Sequence, residues 1–235
     1  MKRDDKQSIE EYVYQEIKNA ILHRKIKPKT QLSEESLSEV FQVSRTPIRN
    51  VLKKLQYEKL VQIFPNKGAF IYEPTVEEMK EVFHMRKILE MECVRIACRV
   101  ATDEQLQELE NGTYQEEELY KRGEYGHALS KSGSFHLGIV KIAGNQLIYK
   151  YCKELNNLTD VYLAFYDNVR IESPLAPCEH RDIVQAIRDR DEDRAAKLFA
   201  EHFRRVQEHM VYRQNGEDNM DLGQIFQPFQ KLINM

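Results

Sequence analysis

Apolar residues fall at helical spacing along most of this chain, and the one long departure from that rhythm lies near residue 65. Ile9, Val13, Ile17, Ala20 and Ile21 form a first helical stripe, broken by KPKT at 27–30. In SEESLSEVF, 33–41, Leu37, Val40 and Phe41 edge a short second helix that opens at Ser33. QVS is a tight turn. SRTPIRNVLKKLQYE then predicts a third helix, with Ser44 as N-cap and Pro47 in the first turn, where a missing N–H costs little. The period shortens at LVQIF and AFIYE, and PNKG between them is a turn, so residues 60–73 predict a β-hairpin.

After Pro74 the helical period returns. Met79, Val82, Phe83, Leu89, Cys93, Val94 and Ala97 line one side of residues 76–100. Thr102 and Gln105 form a capping box for the next helix. A third spans 124–143 and stops at Gly144-Asn145, an expected left-handed C-cap. A fourth spans 146–169, with Leu147, Tyr151, Leu155, Leu158, Tyr162 and Phe165 as its apolar side; SPLAP breaks it. Helices over 177–189 and 192–213 follow, with Asp191 as the cap between them. The expected fold is mainly α. Residues 1–74 form a winged helix-turn-helix of three helices plus a β-hairpin. Residues 75–213 form an all-α antiparallel bundle of six or so helices, and 214–235 are a C-terminal tail to which the pattern assigns no place.

Composition narrows the class. With 41% hydrophobic residues in 235, a real core is within reach, and no apolar run approaches the ~18 residues of a membrane span. The first residues carry no apolar signal region. Cys93, Cys98, Cys152 and Cys178 lack CxxC spacing and read as reduced core residues of a cytoplasmic protein. The net charge of −3 hides an asymmetry: residues 1–74 hold 14 Lys and Arg against 10 Asp and Glu, leaving −7 for the rest. A basic first third on an acidic remainder suggests two domains with different partners.

The third helix shows what the basic part is for. Ile48, Val51, Leu52 and Leu55 make one face; Arg45, Arg49 and Lys53 make another, with Ser44, Thr46 and Asn50 beside them. A recognition helix presents such a face to the major groove, where Arg reads guanine in bidentate fashion and hydroxyls serve phosphates or bases. Lys67 and Gly68 at the hairpin tip would form the wing. A homodimer on a double-stranded, near-palindromic operator is the expected arrangement.

QLSEESLSEVFQVSRTPIRNVLKKLQYEKLVQIFPNKGAFI, 31–71, resembles the winged helix of GntR-type bacterial transcription regulators. Leu32, Ser33, Glu34, Val43 to Arg49, Leu55, Leu60, Val61 and Gly68 fit its pattern of L-S-E, V-S-R-T-P-[VI]-R, L, G-L-V and a wing glycine. The departures are Lys59 for Gly, KPKTQL for P-G-x-x-L, and Glu35 where some relatives carry a phosphate-contacting Arg.

In the acidic part, His136, His180 and His202 each lie on an apolar stripe of a different helix. One such histidine is usually a satisfied core residue; three from facing helices are a natural transition-metal site, Zn²⁺ or Ni²⁺ before Mg²⁺. FHLGIVKIAGN, EHRDIVQAI and AEHF resemble the FCD effector domain of the FadR-like branch of the same family, over roughly 76–213. That resemblance implies a ligand set of one Asp and three His, with Ser132 standing at the Asp position. It also implies a pocket role for Arg86 in RKILE; the other reading of Arg86 is a structural pair with Glu90. Three neutral imidazoles leave a metal's charge uncompensated, and Ser132 leaves a ligand position open, so a small carboxylate effector is expected. The resulting reading is a regulator, expected to be a repressor, and not an enzyme. The rivals are a helical domain that serves only as a dimerisation unit, and a metal-dependent hydrolase.

Overall fold

The computed structural model describes residues 3–22, 25–166, 175–209 and 222–226. The chain divides into two compact units, Met1–Pro74 with Arg213–Met235, and Thr75–Tyr212.

In the first unit, α1 (Arg3–Leu22) buries Val13, Ile17, Ala20 and Ile21. Helix α2 (Glu34–Phe41) begins where the Ser33 side chain accepts the Ser36 N–H, and ends at Gln42 in the left-handed region. Helix α3 (Arg45–Tyr57) buries Pro47, Ile48, Val51, Leu52 and Leu55. Tyr14 and Lys18 of α1 both reach Glu58 just past α3, at 2.7 and 2.8 Å, fixing the two helices together. The expected hairpin is present as β2 (Val61–Phe64) and β3 (Gly68–Ile71). A short β1 (Gln31–Leu32) pairs antiparallel with β3, setting Leu32 opposite Ala69, so the sheet order is β1-β3-β2. Lys29 and Lys59 have φ of 63° and 61°. These are two positions where the GntR pattern carries glycine and this chain does not, and here lysine adopts the left-handed backbone at some conformational cost.

The C-terminal residues expected to form a separate tail belong in part to this unit. Helix α10 (Leu222–Ile225) buries Leu222, and the Phe226 ring packs on Phe41 of α2 with centroids 5.0 Å apart. Their spacing is too short to register as a helical stripe.

The second unit is a six-helix bundle: α4 (Val76–Val100), α5 (Asp103–Lys121), α6 (Tyr125–Ile142), α7 (Gln146–Tyr166), α8 (Leu175–Arg188) and α9 (Glu192–His209). Capping boxes open α4 at Thr75 and Glu78 and α5 at Thr102 and Gln105. Gly144 is left-handed, but Asn145 caps the following helix instead: its Oδ1 accepts the N–H groups of Leu147 and Ile148. Asp191 accepts the Arg194 N–H at the start of α9. The core gathers Phe83, Val94, Leu106, Ile139, Ile183 and Phe199.

Two expectations need correction. Cys178 is exposed, whereas Cys93, Cys98 and Cys152 are buried. On α7, Leu147 and Tyr151 point to solvent, and the buried stripe runs through Cys152, Asn156 and Thr159. Further along the expected stripe Tyr162 is buried and Leu155 and Leu158 pack against the core, so only its first turns face outward. Part of SPLAP and the expected helix ends at 167–169 and 210–213 lie outside the described residues. Among the described residues, no helix is long and apolar enough to cross a membrane.

Candidate functional site

Arg45, Thr46, Arg49, Asn50 and Lys53 are all exposed on α3, on the side away from its buried stripe. Ser44 occupies the expected N-cap position, and its hydroxyl makes no capping hydrogen bond. The helix therefore leaves that hydroxyl available to a partner. Two acids of α2 hold the arginines: Glu35 takes the Arg45 Nη2 at 2.7 Å, and Glu34 takes Arg49 Nε and Nη2 at 3.0 and 2.7 Å. The Arg49 contact holds the Glu34 carboxyl below its ordinary range. At the hairpin tip Lys67 and Gly68 are exposed, and the Gln31 amide donates to the Lys67 carbonyl at 2.9 Å, tying β1 to the tip. Gly68 has φ of 93°, which an L side chain rarely adopts.

In the helical unit His136 on α6, His180 on α8 and His202 on α9 come together, buried, with one ligand nitrogen from each within 4.8 Å of the others. His180 Nε2 and His202 Nε2 are 3.3 Å apart. Two nitrogens each bound to one tetrahedral zinc at ~2.0–2.1 Å stand about that far apart. Every imidazole is backed by a carboxylate at Nδ1: Glu90 at 2.9 Å from His136, Glu116 at 2.9 Å from His180, and Glu179 at 2.7 Å from His202. An N–H donated at Nδ1 fixes the tautomer that leaves the Nε2 lone pair free, the arrangement that orients metal-ligating histidines. Burial pushes His136 down to about 3 and His180 well below its usual value, so both are neutral, the form that ligates. The donor set fits a transition-metal ion.

The three carboxylates differ in their support. Burial raises Glu90, but Arg86 and His136 outweigh it and hold it at about 2. Arg86 gives Nε and Nη2 to Glu90 at 2.6 and 3.3 Å, the buried pair foreseen as its structural reading. Burial also pushes Glu179 up, and His202 and Arg205 more than reverse it. Glu116 is pushed up to about 8 by burial, and its Oε1 has no hydrogen-bond partner. Arg86, Ser132 and Asn156 line a pocket that also takes in His136 and His202.

The profile of the FCD domain matches residues 81–205, and that of bacterial regulatory proteins of the gntR family matches residues 9–71. The chain belongs to the GntR family. It has the FadR-like architecture of a winged helix followed by an FCD domain. It is similar to the HTH-type transcriptional repressor RspR of Escherichia coli strain K12, at 27% identity over 92% of this chain and 93% of the relative. The gluconate operon transcriptional repressor of Bacillus licheniformis is 25% identical over 82% of this chain and 81% of the relative. A solved GntR regulator from Rhodococcus sp. RHA1 shares the fold with a TM-score of 0.71 at 18% identity, over 86% of this chain and 96% of that one. E. coli McbR/YncC does so at 0.67 and 18%, over 84% and 94%. This GntR-family protein is therefore a DNA-binding transcriptional regulator.

Residue spacing brought the three histidines together but not the carboxylates behind two of them. Glu116 continues the buried stripe of Leu106, Leu109 and Thr113 on α5, and a carboxylate in that register is the signal that identifies it. Glu179 adjoins His180 in sequence yet serves His202, which no linear pattern reveals.

Proposed function

We propose that this GntR-family regulator is a cytoplasmic homodimeric repressor whose helical unit binds a small carboxylate beside a transition-metal ion. Ser44, Arg45, Thr46, Arg49 and Lys53 read the operator, and the wing residues Lys67 and Gly68 contact its backbone. The observation that carries the effector half is the convergence of the three imidazoles with a carboxylate behind each. His136, His180 and His202 would hold the ion, Zn²⁺ or Ni²⁺, and it would supply a Lewis-acid centre for an acid oxygen. Arg86 adds positive charge to the pocket; a bidentate grip on the anion would cost it the Glu90 pair.

Homodimerisation is supported by exposed apolar side chains on two helices that pack together, Met85 and Ile88 on α4 with Leu147 and Tyr151 on α7. A second copy covering this face would remove them from water.

The test is titration of operator binding with small carboxylates, on metal-loaded and chelator-treated protein. A shift in operator affinity of about 1–3 kcal/mol that disappears with the metal supports the reading. Ser132 at a ligand position favours the rival in which the helical unit is only a dimerisation unit; carboxylates that bind without moving operator affinity at any metal loading would establish that rival.

A further inference from the structure

Asn156 is not explained by packing. It sits on the buried stripe of α7, only 6% exposed, and its Oδ1 is fully buried without a hydrogen-bond partner. Native interiors rarely leave a carbonyl oxygen in that condition, because it has lost its water and gained nothing. The neighbouring helix makes room for the amide. Gly133, inside α6, is placed so that a Cβ there would fall 2.5 Å from Asn156 Nδ2. Glycine in a helix interior weakens it, so the fold accepts a less stable α6 to seat this side chain in the pocket wall.

The surroundings give the amide a task. Both Gly133 and Asn156 line the pocket with Arg86, Ser132, His136 and His202. Thr159 and Asp160 line it from α7 as well, and the Thr159 hydroxyl donates to the Leu155 carbonyl at 3.0 Å. Helix α7 thus offers the cavity hydrogen-bond acceptors, whereas α4, α6 and α9 bring a guanidinium and imidazoles. An acid whose carboxylate turns to the cationic elements needs a hydrogen-bond donor for α7. A second carboxylate would meet Asp160. An ammonium would share a small cavity with Arg86 and a metal ion. A neutral hydroxyl suits both.

We propose that Asn156 is the specificity-determining residue of this site: its amide oxygen accepts a hydrogen bond from a hydroxyl of the bound acid, so the unit selects small hydroxy acids over unsubstituted, dicarboxylic or amino acids. This rests on the reading that the pocket takes a carboxylate.

The experiment is calorimetric titration of the full-length, zinc-loaded protein with four-carbon acids: L-threonate, butyrate, succinate and 4-aminobutyrate. Threonate binds about tenfold or more tighter than the other three, the contribution of one satisfied buried acceptor. Asn156→Leu brings threonate to the level of butyrate and raises the Tm of the ligand-free protein by removing the orphan oxygen. Gly133→Ala, which crowds the amide, narrows the threonate preference in the same direction without touching Asn156 itself. Equal binding of threonate and butyrate by the wild type overturns the hydroxyl assignment and leaves the carboxylate reading standing. A loss of butyrate along with threonate in Asn156→Leu also overturns it, since the amide would then hold the acid group. Absence of binding by all four acids at every zinc loading overturns both.

Discussion

Glu116 stands apart from the other carboxylates behind the imidazoles. Glu90 has Arg86 and Glu179 has Arg205 within hydrogen-bond distance, whereas the nearby Arg181 is engaged by Glu117. Burial dominates at Glu116, and His202, Arg181 and, least of the three, the Ser132 hydroxyl offset only part of it. If an ion is held, this is the side where its charge is least compensated, and Ser132 lies one helical turn before His136 on the same side. Ser132→Asp should therefore raise zinc affinity, and Glu116→Gln should lower it by about tenfold or more, as read by competition with a coloured chelator. Unchanged affinity in both would remove these residues from the site. The same group sets a pH dependence in the metal-free protein. Its folded value of about 8 lies above the ordinary carboxylate value of 4.5, so the folded state holds a proton that the unfolded state has released. Its contribution to stability is whole below about 4.5 and is lost as pH rises through about 8. Denaturant midpoints of wild type should fall between pH 5.5 and 8.5 more than those of Glu116→Gln; parallel curves would contradict the assignment.

Helix α3 illustrates how an element is specified by sequence and completed by its neighbours. Its buried stripe and exposed basic face both follow from spacing, but the engagement of Arg45 and Arg49 by Glu35 and Glu34 depends on how α2 lies beside it. Operator binding must draw both guanidiniums from those acids, or use the donors the acids leave free. Arg45→Ala and Arg49→Ala should each weaken operator binding by about 1–3 kcal/mol, measured by fluorescence anisotropy. A double variant with wild-type affinity would remove α3 as the reading helix. The bundle was legible because six long amphipathic stripes and the Thr102–Gln105 capping box leave few alternatives; the box at Thr75 and Glu78 was not read from the sequence. The outward turn of Leu147 and Tyr151 on α7 was not, since they outweigh Cys152, Asn156 and Thr159 in any hydrophobic pattern, and Asn156 and Thr159 are the ones that line the pocket. Strand β1 is too short to carry a period, and α10 is defined only by what it touches. Phe226→Ala should show that α10 belongs to the core of the first unit, with a loss of about 3 kcal/mol in its unfolding free energy and no change in that of the helical unit.

At the scale of the whole molecule, a single reading unit contacts few base pairs, and two of them must be held in register to recognise an operator. Met85 and Ile88 on α4 and Leu147 and Tyr151 on α7 are exposed apolar side chains that a second copy doing this would cover. Ile88→Glu combined with Tyr151→Glu should yield monomers by sedimentation velocity and weaken operator binding with them; a variant that stayed dimeric would place the interface elsewhere. The packing of Phe226 against Phe41 has a temporal consequence. The reading unit is assembled from the first 74 residues and from the end of the chain, with the helical unit encoded between them. During synthesis the first segment waits with part of the α2 surface uncovered until Phe226 has been made. A nascent chain that stops short of Phe226 thus presents a reader whose α2 surface is incompletely packed.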